Sequence, residues 1–238
     1  MSPKDLLLLQ FIAHLLSDFV FQPEKRAREK NKGGFKSGYI KTHILLTFLF
    51  SWLLSFQWLF VIASLSIALS HWLIDGFKPR LNAHRTLARY TFLIDQVLHL
   101  GFLALITLGF LHFFPWQPVL KTWIIHPILP YLAGFLLCAK PSNILVRELL
   151  RANKISFESS YDLPNAGRLI GILERLLVLT FILLNQFSAI GFLIAAKSIL
   201  RFRDSDKLKT EYVLIGTLLS FAIAIAVGLG INALIRAC

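Results

Sequence analysis

The sequence predicts an all-α fold, a polytopic membrane helix bundle of about eight transmembrane helices, with a four-helix unit carrying a metal site and a C-terminal three-helix unit. Three observations lead there. Of 238 residues, 56% are hydrophobic and only 16% charged, and the apolar runs repeatedly approach the roughly 20 residues that span a bilayer. The net charge of +12 comes from 25 basic against 13 acidic residues. Most of the basic ones fall in alternate loops, at Lys25 to Lys41, Lys78 to Arg89, Lys140 to Lys154 and Arg201 to Lys209, as expected if those loops face the cytoplasm. Finally, short polar breaks or turns separate the other runs. Basicity placed this way reports topology and lipid headgroups as partners, not nucleic acid.

Taken in order, the helices fall at roughly 4 to 21, 40 to 56, 58 to 76, 90 to 114, 120 to 138, 166 to 185, 187 to 201 and 211 to 236. The first contains His14 and Asp18 and has no small-residue cleavage site before Pro23, so it reads as a retained helix and not a signal peptide. The second and third are parted only near Ser55 and Gln57, and the sixth and seventh only near Asn185 and Gln186, so each couple is a tight hairpin. Pro115, Trp116, Gln117 and Pro118 turn the chain between the fourth and fifth. These short connections lie outside, the basic ones inside, and both termini outside. The segments are then a membrane domain with the site at 1–138, a cytoplasmic linker at 139–165 with a short interfacial helix near Asn143 to Ala152, and C-terminal membrane helices at 166–238. Cys138 and Cys238 lack metal or redox spacing and read as inert.

Within the first hundred residues a histidine and an aspartate lie four apart three times, as His14/Asp18, His71/Asp75 and the reversed Asp95/His99. Four residues bring both side chains to one helix face, and imidazole with carboxylate in an apolar span is costly unless something binds there. Given the topology, these pairs and His43 lie within roughly 5 to 14 Å of the inner ends of four helices, at about 1.5 Å per residue. His14, Asp18, His43, His71, Asp75, Asp95 and His99 are therefore the candidate metal ligands, for one or two zinc ions with manganese or iron as alternatives. Asp18, Asp75 and Asp95 are the candidates for general base. Gln22 and Gln96 are placed to orient ligands or substrate, and Lys78, Arg80 and Arg85 to hold a phosphate or carboxylate. His84, His112 and His126 read as solvated or interfacial. In the C-terminal half Glu174 and Lys197 are expected to pair, and Gly167, Gly171 and Gly191 to allow close helix approach, as could Gly216, Gly228 and Gly230.

The motifs His-Leu-Leu-Ser-Asp-Phe at 14 to 19, His43, His-Trp-Leu-Ile-Asp-Gly-Phe-Lys at 71 to 78 and Asp-Gln-Val-Leu-His at 95 to 99 resemble a bacterial multi-pass membrane family known only as a domain of unknown function. That likeness implies a membrane fold and no established activity. A looser similarity links Ser70 to Asp75 to membrane-bound metal-dependent hydrolases, and residues 14 to 18 to the His-x-x-x-Asp element of zinc-dependent phospholipases and nucleases. Those soluble enzymes use an N-terminal amine as a ligand, which nothing in this chain replaces. Hydrolysis at the inner leaflet, on a lipid-like or phosphorylated substrate, is the first expectation. A divalent-metal or proton transporter is the second, disfavoured because the outer halves of helices one to four look almost free of polar residues. A scaffold with a purely structural polar network is the third.

Overall fold

Helix is the only regular structure among the described residues of the computed structural model, which are 3–119, 126–155, 166–201 and 207–236. Their ten α-helices are, in order, α1 Pro3–Leu15, α2 Glu24–Gly33, α3 Gly38–Ser55, α4 Val61–Ala83, α5 Thr91–Phe113, α6 Leu129–Cys138, α7 Lys140–Ala152, α8 Ala166–Leu183, α9 Phe187–Arg201 and α10 Lys207–Arg236. The start of the expected fifth helix at 120–125, linker residues 156–165, Arg203 and Cys238 lie outside the described residues.

Among the described residues three stretches are long and apolar enough to cross a membrane, Trp58–Ala83, Leu87–Phe113 and Thr210–Arg236. Two bent pairs, Pro3–Val20 with Glu24–Lys36 and His126–Cys138 with Lys140–Ala152, raise the total to five if each is one span. The other three of the eight predicted spans are helices that fall short of this measure. α3 has 18 residues and carries Lys41 and His43 near its start, and α8 carries Arg168, Glu174 and Arg175. α9 has 15 residues, about 22 Å at 1.5 Å each against a hydrocarbon core of about 30 Å.

The chain divides into two compact units, Met1–Ala133 and Gly134–Cys238. In the first, α1 packs on α3 and α5, and α4 on the same two helices, closing a four-helix ring. Local chemistry sets its elements. The Ser37 hydroxyl accepts the Tyr39 N–H at 3.3 Å and caps α3, while Glu24 and the pair Lys30 and Lys32 complement the two ends of α2. α4 runs through Pro79 to Ala83, past the expected end at 76, so Lys78 and Arg80 ride on its last turns and not in a loop.

One end of the ring is closed by a dry cluster of Leu6, Phe60, Ala63, Ile67 and Phe110, with the Phe60 and Phe110 rings 4.8 Å apart and edge to face. A polar layer lies beneath it. The Gln10 amide donates to the Ser51 carbonyl at 3.0 Å, the Ser51 hydroxyl donates to Gln10 Oε1 at 2.6 Å, and Ser64 Oγ lies 3.1 Å from Ser51 Oγ. Thr47, Ser55 and Thr107 are buried too. The expectation of outer halves almost free of polar residues is thus corrected: Thr47, Ser51 and Ser55, at four-residue steps along α3, are turned inward and buried. His126, expected to be solvated or interfacial, is partly exposed and lies with Nδ1 2.6 Å from Asp5 Oδ1.

In the second unit α8 packs on α10, α7 and α9, around Cys138, Val178, Leu179, Ile182, Phe221 and Ala224. Arg175 is 1% exposed and caps the break between α6 and α7, donating to the carbonyls of Cys138 at 2.7 Å and Ala139 at 3.3 Å and to Ser220 Oγ at 2.8 Å. It supplies donors for carbonyls that a broken helix leaves bare. Arg175→Met is expected to cost about 1–3 kcal/mol, read as a lower unfolding temperature in detergent, and an unchanged transition would contradict that role. Lys197 pairs with Glu174. Of the glycines, Gly228 meets Ile182 closely, whereas Gly167, Gly191 and Gly230 face open space, a correction to the expected close approaches.

Candidate metal centre

At the end of the ring away from the dry cluster, each of the four helices contributes to one buried group of side chains. α1 passes into a single wide turn, Leu16–Val20, closed by the Phe21 N–H bonding the Leu16 carbonyl at 2.8 Å. This i→i+5 turn is the π geometry that recurs at functional sites. The Ser17 hydroxyl lies 3.1 Å from both the His14 carbonyl and Asp18 Oδ1, which fixes the carboxylate. His14, Asp18, His43, His71, Asp75, Asp95 and His99 are all buried, His43, His71, Asp75 and His99 completely.

Hydrogen-bond partners assign the imidazole tautomers. His71 Nδ1 donates to the Ile67 carbonyl at 3.1 Å and His99 Nδ1 to the Asp95 carbonyl at 2.8 Å, which leaves both Nε2 atoms as lone pairs facing inward. His14 Nε2 donates to Gln96 Oε1 at 3.2 Å, which leaves His14 Nδ1 as a lone pair too. A ring nitrogen that donates to a backbone carbonyl or amide while the other faces a cavity is how proteins hold a metal-binding histidine. The result is a first trio of acceptors with no proton among them. His14 Nδ1 lies 3.2 Å from His71 Nε2 and 3.7 Å from Asp18 Oδ1, and His71 Nε2 lies 3.9 Å from the same oxygen. A tetrahedral zinc with bonds of about 2.0–2.1 Å holds its ligands about 3.3 Å apart, so the trio fits such an ion with small adjustments.

A second trio, Asp75, Asp95 and His99, offers ligand atoms within 4.8 Å of one another. Asp75 Oδ1, Asp95 Oδ1 and His99 Nε2 are buried without a hydrogen-bond partner. Their other oxygens are held by lysines: Lys30 Nζ lies 2.7 Å from Asp75 Oδ2, and Lys78 Nζ lies 2.7 Å from Asp95 Oδ2. The Gln96 amide also donates to Asp95 Oδ2 at 3.1 Å. The trios abut, the His71 and His99 ring centroids being 4.1 Å apart. His43 Nε2 sits between them, 3.5 Å from Asp18 Oδ1 and 3.3 Å from Asp75 Oδ2.

The family model described as "Protein of unknown function (DUF3307)" matches residues 6–125. The chain belongs to the DUF3307 family. The match contains α1 to α5 from Leu6 onward, and with them every member of both trios. No curated protein and no solved structure matches the chain.

Other residues of the DUF3307 region fall around this centre. Gln22 is buried and its amide donates to the Asp18 carbonyl at 3.0 Å, bracing the wide turn. It does not line the cleft of about 450 Å³ between α4 and α5, whose walls are Leu73, Phe77, Ile94 and Leu98 together with Lys78, Arg80, His84 and Asp95. Arg80 lies over the Phe77 ring at 5.0 Å. Arg85 is exposed and is not among the lining residues. His84 Nδ1 also accepts the Thr86 N–H, an ordinary turn-closing role, and His112 is exposed against Phe113.

Lys30 is the residue that sequence reasoning misses, because it stands as one of seven basic residues in an apparent loop. What inserts it is a close approach of glycines. Gly34 has φ +51°, and a Cβ there would lie 2.5 Å from the Gly76 carbonyl oxygen, while a Cβ on Gly76 would lie 2.0 Å from the Phe35 ring. Phe35 is further packed by Trp72 and Phe77, at centroid distances of 4.8 and 5.3 Å. The Gly33-Gly34-Phe35 run is the only sequence signal, and it does not say which lysine is inserted.

Proposed function

We propose that the protein is a membrane-embedded, metal-dependent hydrolase that uses zinc near the cytoplasmic leaflet of a bacterial inner membrane and acts on a lipid-like or phosphorylated substrate. The basic loops are then cytoplasmic and both termini outside. The observation that carries the reading is the first trio, three buried lone pairs from His14, Asp18 and His71 converging with no hydrogen between them, a repulsive arrangement unless a cation joins it. A bound zinc ion lowers the pKa of its water and polarises the scissile bond.

The chain's own residues supply the rest. Asp95 is the carboxylate we assign to the reacting centre. It belongs to the buried group, lines the cleft, and has Oδ1 without a hydrogen-bond partner while Lys78 and Gln96 hold Oδ2. Gln96 bonds both His14 and Asp95, so it couples the orientation of the two. In the cleft, Lys78, Arg80 and His84 would take an anionic head while Leu73, Phe77, Ile94 and Leu98 take an apolar chain. A transporter of divalent metal or protons is the second reading, favoured by the polar layer of Gln10, Ser51 and Ser64. The dry cluster beyond that layer, with Leu6 and Phe60 fully buried, opposes an open path.

The test uses purified protein loaded with zinc in nanodiscs containing phosphatidic acid, with phosphate release as readout. Wild type is expected to turn over, and Asp95→Asn to lose at least about a hundredfold in rate while retaining zinc. Labelled-zinc uptake into proteoliposomes is expected to stay at background. Uptake without hydrolysis establishes the transporter instead, and neither activity overturns both.

A further inference from the structure

We infer that the two trios are unequal seats, the first binding one divalent ion in the resting protein and the second taking another only together with a dianionic phosphate group. This rests on the reading of the centre as a metal site and concerns its stoichiometry.

Charge decides it. The assigned tautomers leave His14, His71 and His99 neutral, and with His43 counted neutral as well the formal charges are three aspartates, Asp18, Asp75 and Asp95, against two lysines, Lys30 and Lys78. One carboxylate is left over, and it is Asp18, the one without a lysine and the one in the first trio. A single divalent ion there reverses a small net charge into another of equal size. A second adds two more positive charges beside lysine side chains that are 2% and 11% exposed, where charges interact far more strongly than in water. A phosphate monoester brings two negative charges, cancels that excess, and gives Lys78 an alternative anion.

The second trio is nevertheless built for a ligand. Asp75 Oδ1, Asp95 Oδ1 and His99 Nε2 are buried acceptors without a donor, an arrangement that costs stability unless something fills it at some stage of the cycle. Both lysines bond the Oδ2 atoms of these aspartates, and the Oδ1 atoms carry no hydrogen bond. Lys78 also lines the cleft between α4 and α5, where a phosphate would arrive.

Equilibrium dialysis of the full chain in detergent against micromolar zinc tests this, with protein-bound metal measured by elemental analysis. Phenylphosphonate serves as a soluble, non-hydrolysable phosphate probe. Wild type is expected to hold one zinc per chain without the probe and two with it. Lys78→Met removes a positive charge and is expected to reach two without the probe, and Lys78→Arg to behave as wild type. Two ions in wild type without the probe, or one regardless of it, overturn the inference and leave the metal centre standing. No zinc under any condition overturns the centre itself. The two wild-type arms decide the matter even if a lysine variant fails to fold.

Discussion

His71→Ala is expected to strip the resting zinc from the purified protein. His71 Nε2 is the member of the first trio that also borders the second, and its ring is locked because Nδ1 bonds the Ile67 carbonyl one turn back. Losing one of three protein ligands leaves only His14 and Asp18 of that trio. Even loss of a supporting hydrogen bond around a metal ligand costs about 10–100-fold in affinity, so loss of the ligand itself is expected to exceed about a hundredfold. His14→Ala should do the same. His84→Ala and His112→Ala, whose rings are exposed, should keep full occupancy, which separates specific binding from capture by surface histidines. Full zinc content in both His71→Ala and His14→Ala would remove the first trio from consideration as a metal seat.

The second large effect concerns folding. Asp75→Ala leaves the Lys30 ammonium inside the bundle, 2% exposed, facing no carboxylate where it now has one at 2.7 Å. Breaking a buried ion pair from one side costs about 3–5 kcal/mol, because the orphaned charge stays desolvated. The double variant Asp75→Leu with Lys30→Met should recover most of that, since an apolar pair of similar volume is often no less stable. Denaturant unfolding in mild detergent of Asp75→Leu, Lys30→Met and the double variant gives the three energies needed for the cycle. Small and additive losses would mean that the two groups act independently and that α2 does not close the site.

Helical content and the gathering of His14, Asp18, His43, His71, Asp75, Asp95 and His99 are legible in the chain without coordinates. A four-residue step fixes a helix face whatever the tertiary structure, and the cost of leaving such groups in lipid points that face inward. The lysines are a different matter. Lys30 and Lys32 carry the same charge two residues apart in a polar helix, and which one enters depends on Phe35 lying against Gly76, a contact 41 positions away in sequence. The polar layer at Gln10 and Ser51 escapes notice for a related reason, since isolated polar residues on apolar helices reveal their direction only when a partner helix is in place. The wide turn at Leu16–Val20 has no compositional mark at all. Apolar runs alone do not establish eight spans, because helix length and interior charge also bear on a crossing, as α8 and α9 illustrate.

That wide turn constrains how the gene can change. It holds one residue more than a regular helical turn needs, and each residue rotates the downstream chain by about 100°. Deleting a single codon between His14 and Asp18 would let the backbone relax into ordinary helix, but it would swing the Asp18 carboxylate away from the face that carries His14. Chain length in this short stretch is therefore as much a part of the centre as the identity of its side chains, whereas the exposed bend from His84 to Thr86 has room for insertions that leave the centre untouched.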